Sequence, residues 1–195
     1  MQFQEFKGAD ELIRIVDAAM AAETETELTA HIKQGLCTLV KSGALEMPDC
    51  VRTPATDHYA RRLLYRSEAH GYSMVAMTWG PGQGTPLHDH AGLWCVEAVC
   101  MGTIRVEQYE LAERDDDRFR FTHEDGVRAS VGTAGCLIPP HEYHTIRNVS
   151  DDDCAVTLHI YGGDMECCNA FEPEGPGNGD GWFRKVKKNL VFDAA

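Results

Sequence analysis

From Tyr59 to the C-terminus, short apolar or alternating runs are cut apart by glycine, proline and aspartate. Such punctuation leaves little room for long helices and specifies many short strands, each closed by a turn. Tyr72–Trp79 reads as a strand that stops at Gly80-Pro81-Gly82. Val96–Val99 is apolar, and Met101-Gly102 turns the chain. Thr103–Tyr109 alternates as a strand with one buried face should. Asp115–Asp117 is a charged hairpin tip from which Arg118–His123 returns. Gly132, Gly135 and Pro139-Pro140 punctuate the next turn, followed by strands over Glu142–Asn148 and Ala155–Tyr161. Pro173–Gly181 is a Gly/Pro loop, and Trp182–Phe192 is a closing strand. Strands at this spacing imply a mainly β fold, a small barrel or sandwich.

A different period governs residues 8–45. Leu12, Ile13, Val16, Ala19 and Met20 recur at helical spacing, with Asp10 and Glu11 in the first turn. A second helix over Glu25–Lys41 puts Leu28, Ile32, Leu36 and Leu39 on one face. Thr24 or Thr26 can cap it and Gly43 can end it. Met47-Pro48 to Thr53-Pro54 is a linker by its prolines. A chain of 195 residues without internal repeats suits one domain, with N-terminal α-helices over 1–50 and a barrel over about 59–192.

The net charge of −13 argues against nucleic acid or an anionic membrane surface as partner. An anionic small substrate stays open, because a pocket can hold local arginine. No apolar run is long enough to span a bilayer. Met1–Lys7 has neither the basic nor the apolar region of a signal peptide, so a cytoplasmic location is expected. The eight cysteines include no C-x-x-C pair and read as free thiols in a reducing compartment.

The chemistry centres on Pro86–Cys95. His88-Asp89-His90 reads as strand, so His88 and His90 share a face and Asp89 points away. His144 is the best third ligand, some fifty residues beyond His90, where two strands would face each other across a lumen. Three neutral imidazoles leave a divalent metal its full charge and several open positions. Thr157, His159 and Tyr161 also share a strand face and would form a chain from hydroxyl to imidazole to phenol. Cys95 stands an odd number of residues from His90, so a straight strand would point it away, and a bend near Gly92 would bring it round. His141 reads as a surface or rim residue, and His31, His58, His70 and His123 as surface histidines. Cys100, Cys136, Cys154 and Cys167 read as core or near-surface thiols. Asp115–Asp117 and Asp151–Asp153 lack calcium-loop spacing.

These residues resemble a known pattern. Gly82, His88-Asp89-His90 and Gly102 follow the first cupin motif; Pro139, His144 and Asn148 follow the second. Where most cupins carry a glutamate ligand, seven residues before Gly102, this chain has Cys95, a mark of the cysteine dioxygenases. Thr157–Tyr161 is similar to that family's Ser-x-His-x-Tyr strand, and Tyr59-Ala60-Arg61 to its Tyr-x-Arg. Trp79-Gly80 and Cys168–Phe171 also fit, so the resemblance covers roughly residues 59–171. It implies a cupin barrel with Fe(2+) on His88, His90 and His144, and a small thiol substrate with O2. Both oxygen atoms would end on sulfur, giving a sulfinate. Tyr59 and Arg61 would bind the substrate carboxylate, with Arg61 offering a bidentate fork, though an ungapped count selects Arg62. Cys95 and Tyr161 would be able to form a thioether, and His159 would orient Tyr161.

L-cysteine is the first substrate on this reading, with 3-mercaptopropionate and mercaptosuccinate as alternatives. Two other classes compete: a non-enzymatic metal-binding or sugar-sensing cupin, and a zinc hydrolase or isomerase cupin, since three histidines also suit zinc. The expected assembly is a monomer or small homo-oligomer.

Overall fold

The computed structural model describes residues 5–175 and 181–194. Helices α1 (Ala9–Ala19) and α2 (Glu25–Lys41) come first, followed by a short 3-10 turn at Asp49–Val51. Thr24 caps α2, its hydroxyl accepting from the Glu27 N–H at 3.2 Å. Gly43, with φ of 69°, takes the left-handed turn that ends it. Among the described residues eleven strands follow: β1 (Ala60–Ser67), β2 (Tyr72–Trp79), β3 (Leu87–His88), β4 (Cys95–Met101), β5 (Thr103–Asp115) and β6 (Arg118–Ser130), then β7 (Ala134–Leu137), β8 (His144–Asn148), β9 (Ala155–Tyr161), β10 (Cys167–Pro173) and β11 (Trp182–Asn189).

The strands form two facing sheets, the arrangement of a cupin. One runs β1-β2-β9-β4-β7; the other, β10-β11-β6-β5-β8-β3, closes on itself where β3 pairs with β10. The first sheet is buried on both faces. Val156, Leu158 and Ile160 of β9 pack outward with Leu12, Val16, Ile32 and Leu36 of the helices. The alternate residues Thr157, His159 and Tyr161 turn inward, beside Val75, Met77 and Cys95. A strand covered on both faces reads as a continuous apolar run, and β2 and β9 do. The helices therefore complete the core; truncating the fully buried Leu36 to alanine would cost about 2–5 kcal/mol.

Several boundaries differ from the sequence reading. The return strand β6 continues past His123 to Ser130, because β5 and β6 stay paired along the whole hairpin through two bulges. The last strand stops at Asn189. Residues 190–194 instead run as an extended strap across β1: the Asp193 N–H donates to the Arg61 carbonyl, and the Asp193 carboxylate accepts from the Arg61 N–H at 2.8 Å. The Gly/Pro loop expected over Pro173–Gly181 falls largely outside the described residues. Among the described residues all eight cysteines are free thiols, and no helix is long and apolar enough to cross a membrane.

Candidate active site

The stretch around His88 is less strand-like than its sequence suggests. β3 ends at His88, and Ala91 and Gly92 take left-handed backbone angles of 54° and 86°. This turn reorients the chain before β4 begins at Cys95, which is why Cys95 faces inward despite its odd separation from His90. Asp89 does point away from the lumen. Its carboxylate accepts from Asn169 N and Nδ2 at 2.8 and 2.7 Å, tying the turn to β10.

His88, His90 and His144 converge. β3 and β8 pair with His88 directly opposite His144, so their side chains share a face. His90 reaches the same point from the turn, and one ring nitrogen from each histidine lies within 4.8 Å of the others. Nδ1 of His88 is 3.1 Å from the Pro86 carbonyl, and Nδ1 of His144 is 2.8 Å from the Glu142 carbonyl. A carbonyl only accepts, so these Nδ1 atoms carry the hydrogens and leave Nε2 as a lone pair. His144 Nε2 is buried and has no hydrogen-bond partner. Burial lowers the pKa of all three histidines, and for His90 and His144 mutual repulsion lowers it further. Neutral imidazoles with free lone pairs aimed at one point are a donor set for a divalent metal.

A second row of groups faces this cluster from the first sheet. In the β4–β9 ladder Cys95 is opposite Tyr161, and Glu97 is opposite His159. The Trp79 indole N–H donates to Thr157 Oγ1 at 2.9 Å, and Thr157 Oγ1 is 2.7 Å from His159 Nε2. The sequence-based chain from hydroxyl to imidazole to phenol holds only in its first half. His159 Nδ1 faces Cys95 Sγ at 3.9 Å and Glu97 Oε2 at 3.5 Å, while the Tyr161 ring stacks on the imidazole at 5.9 Å. The reason is local: Thr157 lies below His159 on the same face and occupies Nε2. Burial holds His159 neutral, down to about 3, with the Arg61 charge adding to the effect. Burial also raises the Cys95 thiol and the Tyr161 phenol well above their ordinary values.

Beside the histidines is a small cavity, with about 20 Å³ of free space, lined by Tyr59, Arg61, Trp79, Tyr161, Cys168 and Leu190 among others. Tyr59 stacks on Trp79 at 4.6 Å. Arg61 donates from Nη1 to Val191 O at 3.2 Å and from Nη2 to Met165 O at 2.9 Å, while its Nε is buried without a partner. Arg62 is spent elsewhere. Its three nitrogens donate to Ala194 O, Thr78 Oγ1 and Thr53 O, outside the cavity. His141 is exposed, on Glu110 at 2.9 Å.

Residues 21–174 match the family pattern described as cysteine dioxygenase type I. The chain belongs to the cysteine dioxygenase type I family. The match begins well before Tyr59, so α2 is part of the family's pattern and not only a local preface. Cysteine dioxygenase type 1 of Rattus norvegicus is 23% identical over 114 residues, and that of Homo sapiens is 22% identical over 122. Each alignment covers 58% of this chain and 56% of the relative, so the chain spans just over half the length of the curated relatives it matches. Among solved structures, the TT1209 protein of Thermus thermophilus is 19% identical with a TM-score of 0.45, over 60% of this chain and 95% of that one.

Two buried carboxyls of this family member escape the sequence reading. Glu97 Oε2 is buried without a hydrogen bond, 3.8 Å from His144 Nε2. Burial raises its pKa to about 8, so its approaches to the neutral histidines are not ion pairs. Glu142 accepts from the His90 backbone N–H at 3.3 Å and is raised to about 7 by burial and the Asp89 charge. The available signal for Glu97 is an isolated acid inside the apolar run Val96–Val99. The strap at Leu190–Asp193, which closes the cavity over Arg61, has no comparable signal.

Proposed function

We propose that this chain is a non-haem iron(II) thiol dioxygenase that converts L-cysteine to cysteine sulfinate. The observation that carries the reading is one cavity lined by His88 and His90 of the convergent three-histidine cluster, by Arg61 and by Tyr161, the cross-strand partner of Cys95. His88, His90 and His144 would hold the metal through ring nitrogens that burial keeps unprotonated. Iron(II) bound there supplies the Lewis acidity that favours a thiolate and the redox chemistry toward O2. Both atoms of O2 are transferred to sulfur, so the overall change is thiol plus O2 to sulfinic acid.

The protein's own groups position the substrate. The Arg61 guanidinium has five N–H groups and spends two on Val191 O and Met165 O. Those remaining, the unpartnered Nε–H included, serve a substrate carboxylate. Tyr161, kept protonated by burial, is a hydrogen-bond donor toward the reacting atoms. Thr157, held by Trp79, fixes His159, and His159 with Cys95 sets where Tyr161 stands. A Cys95–Tyr161 thioether requires loss of two hydrogens to an oxidant, and O2 is the oxidant this activity provides.

The test is oxygen uptake by iron-loaded protein with L-cysteine, 3-mercaptopropionate and mercaptosuccinate, read with sulfinate formation. Fast turnover of cysteine is the expected result. Turnover of mercaptosuccinate without cysteine would move the substrate; no uptake with any thiol would leave a non-enzymatic cupin. Chelation should abolish uptake, and iron, not zinc, should restore it.

A further inference from the structure

The first sheet has two edges, and the cavity lies toward only one of them. Strand β1, which carries Arg61, is one edge strand; β7 is the other. Between β7 and the β5–β6 hairpin a cleft of about 250 Å³ runs inward. Val99, Ile104, Val106, Ala129 and Leu137 wall it, and the exposed Lys33 and Val127 stand at its mouth. Its inner end is formed by Glu97 and Thr157. Glu97 adjoins the three-histidine cluster, its unpartnered Oε2 3.8 Å from His144 Nε2, and Thr157 is bonded to His159, which faces that cluster from the first sheet. Gln108, also in the cleft, is directly opposite His144 in the β5–β8 ladder.

We propose that this cleft is the dioxygen site and the route by which the gas reaches the histidine cluster, separate from the thiol's cavity. The inference rests on the thiol dioxygenase reading. Dioxygen is uncharged and a poor hydrogen-bond acceptor, so it partitions from water into aliphatic surroundings such as these walls. An amino-acid thiol would leave its carboxylate and ammonium unpaired against the same side chains. The cavity at Arg61 is its counterpart: its polar groups suit a carboxylate, its free space holds about one water, and Leu190 lies over it. Arrival from the β7 edge brings the gas to the cluster from the side away from Arg61, so a bound thiol does not block it. Glu97 and Thr157 form the polar lip between the cleft and the cluster.

Xenon, an apolar probe of similar size, tests the site without catalysis. Full-length protein under xenon pressure, examined by crystallography or xenon NMR, should hold xenon against Val99, Val106 and Ala129. Ala129→Phe and Val106→Phe should remove it. Val106 is half-buried, so its variant keeps the test alive if the Ala129 variant does not fold. In iron-loaded enzyme each folded variant should raise KM for O2 about fivefold or more, with thiol KM and kcat at saturating O2 within about twofold of the parent. An empty cleft under xenon, or unchanged KM for O2 in folded variants, overturns the proposal. A rise in thiol KM alone also overturns it, and makes the cleft the thiol's entrance. If no thiol is oxidised, the dioxygenase reading fails, while xenon still decides whether the cleft takes an apolar gas.

Discussion

Replacing Arg61 by lysine keeps the charge and removes the fork. The guanidinium spends two of its five N–H groups on the Val191 and Met165 carbonyls and has three left over. An ammonium has three in all. If it keeps the two carbonyls, of which the Met165 one is buried, one donor remains and bidentate contact with a carboxylate is lost. The loss is then one charge-assisted hydrogen bond, about 1.5–3 kcal/mol. At about 1.4 kcal/mol per decade this is roughly a 10- to 150-fold rise in KM. Steady-state oxygen uptake at varied L-cysteine should show that rise with a smaller change in kcat. A thiol without a carboxylate, such as 2-aminoethanethiol, should be insensitive to the substitution. Arg62→Lys should lower stability and leave KM near the parent value, since its nitrogens bond Ala194, Thr78 and Thr53. A high KM in Arg62→Lys beside a normal one in Arg61→Lys would refute the assignment.

Other expectations are independent of this one. Cys95→Ser and Tyr161→Phe should each abolish the proposed Cys95–Tyr161 thioether, read in intact-protein mass spectrometry as retention of the two hydrogens that its formation would remove. His58 bonds Asp193 and Asp57, which raise its pKa above the ordinary 6.5. A raised histidine stabilises below its ordinary value and ceases to do so as pH rises through the raised one. Amide exchange in the 190–194 strap should therefore quicken over that interval beyond the intrinsic rise with pH, and His58→Asn should flatten this excess. Thr24→Ala removes the α2 cap and should cost about 1 kcal/mol in thermal unfolding, through the lost bond to the Glu27 N–H.

Elements with a strong period are legible in the residues. Helix α2 runs from Glu25 to Lys41 as its apolar spacing and Thr24 imply, and β2 and β9 coincide with their apolar runs. His88-Asp89-His90 reads as continuous strand and is not, because alternation cannot register two consecutive left-handed residues such as Ala91 and Gly92. Glu97 is hidden for a related reason. An acid two residues past Cys95 looks like a solvated alternate position until the helices and the facing sheet are known to bury the two faces of β4. Leu190–Phe192 read as strand by composition, yet residues 190–193 bond β1 and residue 166 as a strap. Contacts so distant in sequence leave no local pattern to read.

Thiol oxidation under labelled dioxygen decides the matter most directly. Iron-loaded protein turning over L-cysteine in 18O2 should yield a sulfinate carrying two labelled oxygens, one sulfinate for each O2 consumed. A sulfinate with oxygen from water, or consumption of O2 with disulfide or peroxide as the product, would contradict a dioxygenase built on His88, His90 and His144.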